Sequence, residues 1–398
     1  MARGPLAPAF AALALAVLLL PVSVATPQDW TRPRLDDANS ASDGAPPGGG
    51  GQLAWNRTVG VNVTSAPIAA MGKVIVGTAE GAVYALDVAT GSILWSRTTA
   101  TPITGTAAAF DGIAYVGTER GLVALSLDDG REVWSRHEDQ PVVGAPLVAN
   151  GIVYFGTTGG RFLALDVSNS DPVWGPVATD GPIHSGPVLA AGRVFVHTQA
   201  GTLWGFDALR GTVHVRADVS PGRATPAFSE GVLWLTAASG VRAIDPATGQ
   251  VVREWGLPTQ DRALTSPVVR DRRLWMGTDA GVAHFDLCDA REPAWTRSLP
   301  DVAADLALAG RFLYVMDAEG SVHAIEADTG RTAWTYAAGA PSSPQRPLPP
   351  IVTDGLLIFT TGAGDVRALD LRDASRLSFP PQRSDACAET RCELPSQP

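Results

Sequence analysis

The stretch Ala85-Leu86-Asp87-Val88-Ala89-Thr90-Gly91-Ser92-Ile93-Leu94-Trp95 returns in recognisable variants about every forty residues through most of the chain. A chain that repeats itself at this period builds one small unit many times, and each unit must bury its apolar face against its neighbours. The position of Leu86 is always large and apolar: Leu125, Leu165, Phe206, Ile244, Phe285, Ile325 and Leu369 follow it. The residue before it is small in Ala85, Ala124, Ala164, Gly205, Ala243, Ala324 and Ala368, with His284 the exception. Something bulky must lie over that spot. An indole arrives eight to ten residues after the Asp position, at Trp95, Trp134, Trp174, Trp255, Trp295 and Trp334. Between them runs a turn rich in Asp, Thr, Asn and Gly, from Asp87 to Gly91, whose side chains bond nearby backbone or whose φ can turn positive.

A strand, a tight turn and a second strand ending in Trp make a hairpin. Two further strands precede it in each unit. One opens on a small-residue and Pro segment (Ser65-Ala66-Pro67, Gly144-Ala145-Pro146, Ser185-Gly186-Pro187), and the other carries Ile75, Tyr115, Tyr154, Phe195, Trp234, Trp275, Tyr314 or Ile358. Four strands per unit and eight units predict an all-β, eight-bladed propeller with four-stranded antiparallel blades over residues 52–380. In this reading the indoles settle on the alanine-sized hollows of neighbouring sheets. Leu53-Ala54-Trp55-Asn56-Arg57-Thr58 resembles the end of a unit, Leu94-Trp95-Ser96-Arg97-Thr98, without the strands that should come before it. It is therefore expected to close the ring by pairing with the incomplete last unit, with Trp55 as the indole of the eighth unit and no open sheet edge left. The fourth unit has Val215 where Trp is expected, and the eighth has Ser378-Phe379.

Residues 1–25 read as an export signal: Arg3, an apolar run over 7–24, and Ser23-Val24-Ala25 suited to cleavage before Thr26. A retained single membrane anchor is the alternative. No Cys follows the run, which gives a lipid-anchored form no support. The chain is then expected to be secreted or extracytoplasmic, peripheral to the membrane or anchored by this segment. Residues 26–51 form a flexible polar linker, and 381–398 a polar tail. Between units seven and eight, the Pro-rich stretch 340–350 reads as a spacer. A net charge of −10 disfavours a phosphate-binding surface, so nucleic acid is not an expected partner.

Other candidates are weaker. Cys387 and Cys392 have four residues between them and can form a disulfide in an exported protein; two free thiols, or a bridge from Cys288 to the tail, are the alternatives. His137, His184, His197, His214, His284 and His323 are scattered without metal-ligand spacing. The Asp residues of the repeated turn read as caps for backbone amides rather than calcium ligands. Asn56 and Asn62 fit the N-glycosylation pattern.

The Ala-x-Asp-x-x-Thr-Gly-x-x-x-Trp unit, matched in full by Ala85, Asp87, Thr90, Gly91 and Trp95, resembles the tryptophan-docking motif of quinoprotein alcohol dehydrogenases and the wider PQQ-repeat propeller family. That family includes non-enzymatic BamB-like assembly lipoproteins and sensor domains of bacterial membrane kinases. For the dehydrogenases the resemblance implies PQQ on a Trp floor, a calcium held by a carboxylate and an amide, an Asp base and a disulfide between adjacent cysteines. This chain has no adjacent Cys pair, and the segments that open its units are mostly small and apolar. The expectation is a monomeric binding or assembly scaffold that uses no cofactor and contacts a protein or cell-envelope glycan. A PQQ-dependent dehydrogenase and an extracellular ligand-sensing module are the alternatives.

Overall fold

A computed structural model describes residues 42–43, 51–258, 261–288, 292–302, 304–339 and 348–372. The expected propeller is what forms: eight sheets of four antiparallel strands, consecutive in the chain except at the closure, with one short strand added to the seventh. Blade 1 runs from inside outwards as Ile68–Ala70, Lys73–Gly77, Ala82–Asp87 and Ile93–Thr98. Blade 8 takes Ile351–Thr353, Leu356–Thr360 and Asp365–Asp370 from the end of the chain and Gln52–Thr58 from its beginning. Ser42–Asp43, inside the stretch read as linker, depart from expectation by pairing in parallel with the innermost strand of blade 7, Ala307–Ala309.

The sequence makes these hairpins for local reasons. In seven of the eight blades the first turn places two consecutive residues at positive φ, as at Met71 (52°) and Gly72 (70°) or Asn150 (54°) and Gly151 (74°), which is the turn that matches the twist of adjoining strands. The second hairpin turns on Asp87, whose Oδ1 accepts from the Thr90 amide at 2.8 Å. The Gly91 amide donates back to the Asp87 carbonyl at 2.8 Å. The turn aspartates are thus bonded to backbone, as read from the sequence. A bulge follows: Ala85 pairs with Trp95, but Leu86 pairs with Ile93, so Leu94 is the extra residue and the outer strand bends.

Middle strands are buried on both faces because a blade lies on either side, so they read as continuous apolar runs: Ile152–Gly156 is buried throughout. Outer strands meet water on one side. Their Trp is buried while both neighbours are exposed, the pattern seen in Glu132–His137 around Trp134. The core lies between blades and holds Tyr115, Tyr154, Phe155, Phe195 and Trp275 with almost no exposure.

Candidate binding face

The propeller has two faces, and they are built differently. On one face lie the repeated Asp-to-Gly turns, fastened to the blade before. Trp95 Nε1 donates to the Leu127 carbonyl at 2.8 Å, and the Trp95 ring lies so close over Gly130 that a β-carbon there would sit 2.6 Å from it. Trp134 reaches Val167 (2.8 Å), Trp174 reaches Ala208 (2.9 Å) and Trp55 reaches Val88 (2.9 Å) in the same way. The acceptor is always the residue after the Asp position.

The small residue has a different role from the one expected. Ala85 is the cross-strand partner of Trp95 in the same blade and of Ile75 on its other side. It separates two large side chains of one sheet, as Ala124 does between Tyr115 and Trp134, whose rings are 5.7 Å apart. The neighbouring blade meets the indole with its turn glycine instead.

The blades that depart from the motif satisfy the same acceptor by other means. In blade 4, Val215 fills the space above Gly249 and Arg193 donates to the Pro246 carbonyl at 2.9 Å. In blade 5, Arg253 stands where the indole should be, opposite Ala243, and its Nη1 donates to Leu287 at 3.2 Å. Trp255 is displaced two residues along the strand, lies buried against Trp234, and its Nε1 has no partner among the described residues. It is not a docking indole. In blade 6, His284 stacks on Trp275 (5.0 Å), and it is Trp275 Nε1 that reaches Ala327 at 2.8 Å. Trp295 still covers Gly330, but its Nε1 has no partner among the described residues. Trp334 covers Gly51, which supplies the turn glycine of blade 8 from the N-terminal side.

The opposite face carries the loops between blades, which share one packing contact but vary in length and side chains. Here an apolar loop residue rests on a glycine of the preceding blade: Ile103 on Gly77, Val142 on Gly117, Ile183 on Gly156 and Val302 on Gly277. After blade 4 the sizes are exchanged. His197 stands in the strand where glycine is expected, and Gly222 stands in the loop, so close that a β-carbon on it would be 3.1 Å from the imidazole. After blade 5, Thr236 and Ala263 hold the two positions, and neither is large. The result is a cavity of about 330 Å³ lined by Gly222, Arg223, Thr236, Ala238 and Ala263, among others.

His197 is fully buried, with Nε2 2.7 Å from the Ser220 carbonyl and Nδ1 3.3 Å from that of Ala224. Burial holds it below the usual histidine range, although both carbonyls pull the other way. A neutral ring donates from one nitrogen, and the shorter contact places that proton on Nε2. His184, shortly before the innermost strand of blade 4, is also held low, by burial first and then by the Arg223 cation. His284 is lowered by burial between its two indoles. On the same face Asp180 accepts from Thr202, from Thr198 Oγ1 (3.0 Å) and from Trp204 Nε1 (3.0 Å). Burial raises its pKa, but these bonds together bring it below the ordinary carboxylate value.

These three imidazoles give the fold a pH dependence of known sign. Each is neutral when folded at a pH where the unfolded chain, with an ordinary value of 6.5, would bind a proton. The unfolded state therefore binds more protons as pH falls through about 6.5, and stability falls with it. A fully excluded proton costs up to about 1.4 kcal/mol per pH unit. The urea midpoint is expected to drop between pH 7.5 and 5, and His284→Ala, which restores the small residue of the other blades, is expected to flatten the slope. An identical slope in wild type and variant would show that His284 is not one of the groups responsible.

In the segments that lead into the innermost strands, several polar side chains join one blade to the next. The Ala66 amide donates to Thr106 Oγ1 (3.1 Å), Gly186 to Thr225 Oγ1 (2.9 Å), Thr225 to Ser266 Oγ (2.9 Å) and Ser266 to Asp305 Oδ1 (2.7 Å). Among the described residues no three His, Cys, Asp or Glu side chains are close enough to share a metal ion. A calcium-held quinone needs converging hard oxygen ligands, and the residues beside the innermost strands do not fit it. Cys387, Cys392, the apolar leader and most of the Pro-rich stretch lie outside the described residues, and Cys288 is partly buried.

Of the roles that the sequence did not reveal, Arg253 could have been found by counting from Asp245 rather than by searching for Trp. The exchange of His197 and Gly222 carries no signal in either residue alone.

A family model described as the outer membrane protein assembly factor BamB matches the chain over residues 49–109, 79–182, 176–336 and 278–384. The serine/threonine-protein kinase AfsK of Streptomyces griseus is 29% identical over 174 residues, 38% of this chain. The match spans about a fifth (21%) of that kinase. BamB from Moraxella catarrhalis superposes with a TM-score of 0.69 at 19% identity, covering 81% of this chain and 100% of that one. The quinohemoprotein alcohol dehydrogenase ADHIIG from Pseudomonas putida HK5 gives 0.72 at 15%, covering 90% and 82%. At these identities the two structures share the fold.

Proposed function

The chain belongs to the BamB-like family of PQQ-repeat propellers, and from that premise we propose that it is a non-catalytic scaffold outside the cytoplasm, binding a protein or glycan of the cell envelope through its loop face. The observation that carries this reading is the contrast between the two faces. One repeats, because turn after turn on it offers a carbonyl, and in most blades a glycine, to the blade before. The other is free to vary from blade to blade, and loops on a rigid frame are where recognition residues collect. Polar atoms beside the innermost strands make blade-to-blade bonds, and no cluster of His, Cys, Asp or Glu that could hold a metal ion is present among the described residues.

A photo-reactive residue tests this in the producing cell. Placed at Arg120 or Asp261 on the loop face, it is expected to give a discrete cross-linked species in the envelope fraction, and placed at Asp128 on the turn face it should give none. Equal products from both faces, or none from either, would count against the scaffold. So would dye-linked alcohol oxidation that appears on adding PQQ and calcium. Ligand sensing is a second reading, favoured by the segment shared with the Streptomyces griseus kinase together with the cavity beside Gly222.

A further inference from the structure

The cavity between blades 4 and 5 is a product of side-chain size. Elsewhere on this face a valine or isoleucine fills the space over the strand, as Ile183 does over Gly156. Here Gly222 and Ala263 leave it open, and the alanines at 237 and 238 widen it. Among the described residues, Arg223 is the one charged side chain on its wall. It makes no ion pair among the described residues, although the chain as a whole carries a net charge of −10.

We propose that this cavity binds a small organic carboxylate that carries an N–H or O–H donor and a short aliphatic group, the chemistry of an N-acylated amino acid or of a peptide C-terminus ending in a small residue. Arg223 pairs with the carboxylate, since a guanidinium fork matches two carboxylate oxygens. Thr236 donates its own hydroxyl proton to the Thr265 carbonyl at 2.8 Å, so the lone pairs of Thr236 Oγ1 face an incoming donor. The methyl groups of Ala237, Ala238 and Ala263 pack on the aliphatic part. A phosphate would meet one cation and methyl groups where it needs several donors, so it fits poorly. The volume, about 330 Å³, lies at the small end of ligand pockets and limits the guest accordingly.

The test is calorimetric titration of the full chain with N-acetylalanine, with the neutral N-acetylalaninamide as control. Saturable binding of the acid is expected, with the amide at least tenfold weaker. Arg223→Gln is expected to weaken the acid at least tenfold and leave the amide unchanged. Two further variants fill the space. Ala263→Ile does so directly, and the pair His197→Gly with Gly222→Ile rebuilds the arrangement that Ile183 and Gly156 form. Both are expected to abolish binding. If a filling variant does not fold, Arg223→Gln, at an exposed site, decides. No heat with the acid, equal affinity for acid and amide, or wild-type affinity in Arg223→Gln would overturn the proposal. These outcomes are independent of the cross-linking result, because the cavity needs no envelope partner.

Discussion

Deleting Gln52–Thr58 is expected to leave a chain that no longer folds to a soluble ring, and Trp55→Ala alone is expected to cost about 3–5 kcal/mol. This strand joins the first and last parts of the fold at blade 8. Gln52 pairs with Asp370, Trp55 with Ala368 and Thr58 with Asp365. Thr58 Oγ1 also donates to Asp365 Oδ1 at 2.6 Å, and the Val59 amide donates to the Gly364 carbonyl at 3.0 Å. Across the joint to blade 1, Trp55 Nε1 holds Val88 and Arg57 Nε holds Gly91 at 2.8 Å. Without the strand, Asp365–Asp370 becomes an open edge ready to pair with another chain, and Gly91 loses the ring that covers it. Urea unfolding followed by Trp fluorescence, with size-exclusion chromatography, measures both variants. Leu53→Ser, at a half-exposed position of the same strand, is the control and is expected to change stability by no more than about 0.5 kcal/mol. A soluble deletion variant with the wild-type midpoint would show that the ring does not need its closure.

Architecture was legible because the propeller repeats its constraints eight times in one sequence. Trp55 without its preceding strands, and blade 8 without its last, pointed at each other across the length of the chain. What could not be read was the direction of contact. A small residue at Ala85 says that something large is near, but strands bring large residues from the same sheet and from the next one alike. In the folded chain Ala85 faces its own sheet and Gly91 faces the neighbour. The fourth, fifth and sixth blades were obscure for a related reason. What the joint requires is a donor to one carbonyl, and Arg193, Arg253 and Trp275 supply it from places that do not look like the motif. The cavity was hidden further still, since it arises from Gly222 and Ala263 being smaller than their counterparts, and only the aligned geometry shows what they replace.

If the turn glycines are small because the neighbouring indole rests on them, then two glycines of nearly equal φ should respond very differently to a methyl group. At Gly112, with φ 75°, a methyl group would have no neighbour within 4 Å, whereas at Gly130, with φ 70°, it would sit 2.6 Å from the Trp95 ring. Gly112→Ala therefore carries only the left-handed backbone penalty, about 1–2 kcal/mol. Gly130→Ala carries the same penalty and an overpacking cost of about 1–3 kcal/mol, because the indole is pinned by its bond to the Leu127 carbonyl and cannot retreat. In a Trp95→Ala background the contact no longer exists, so the cost of Gly130→Ala is expected to fall to that of Gly112→Ala. The two mutations at the joint should then be strongly non-additive, while Trp95→Ala with Gly112→Ala should be close to additive. Chemical denaturation of the wild type, the three single variants and the two pairs supplies every term. Additivity at Gly130 would mean that the ring and the glycine do not press on each other, and the account of how these blades are fastened would have to be abandoned.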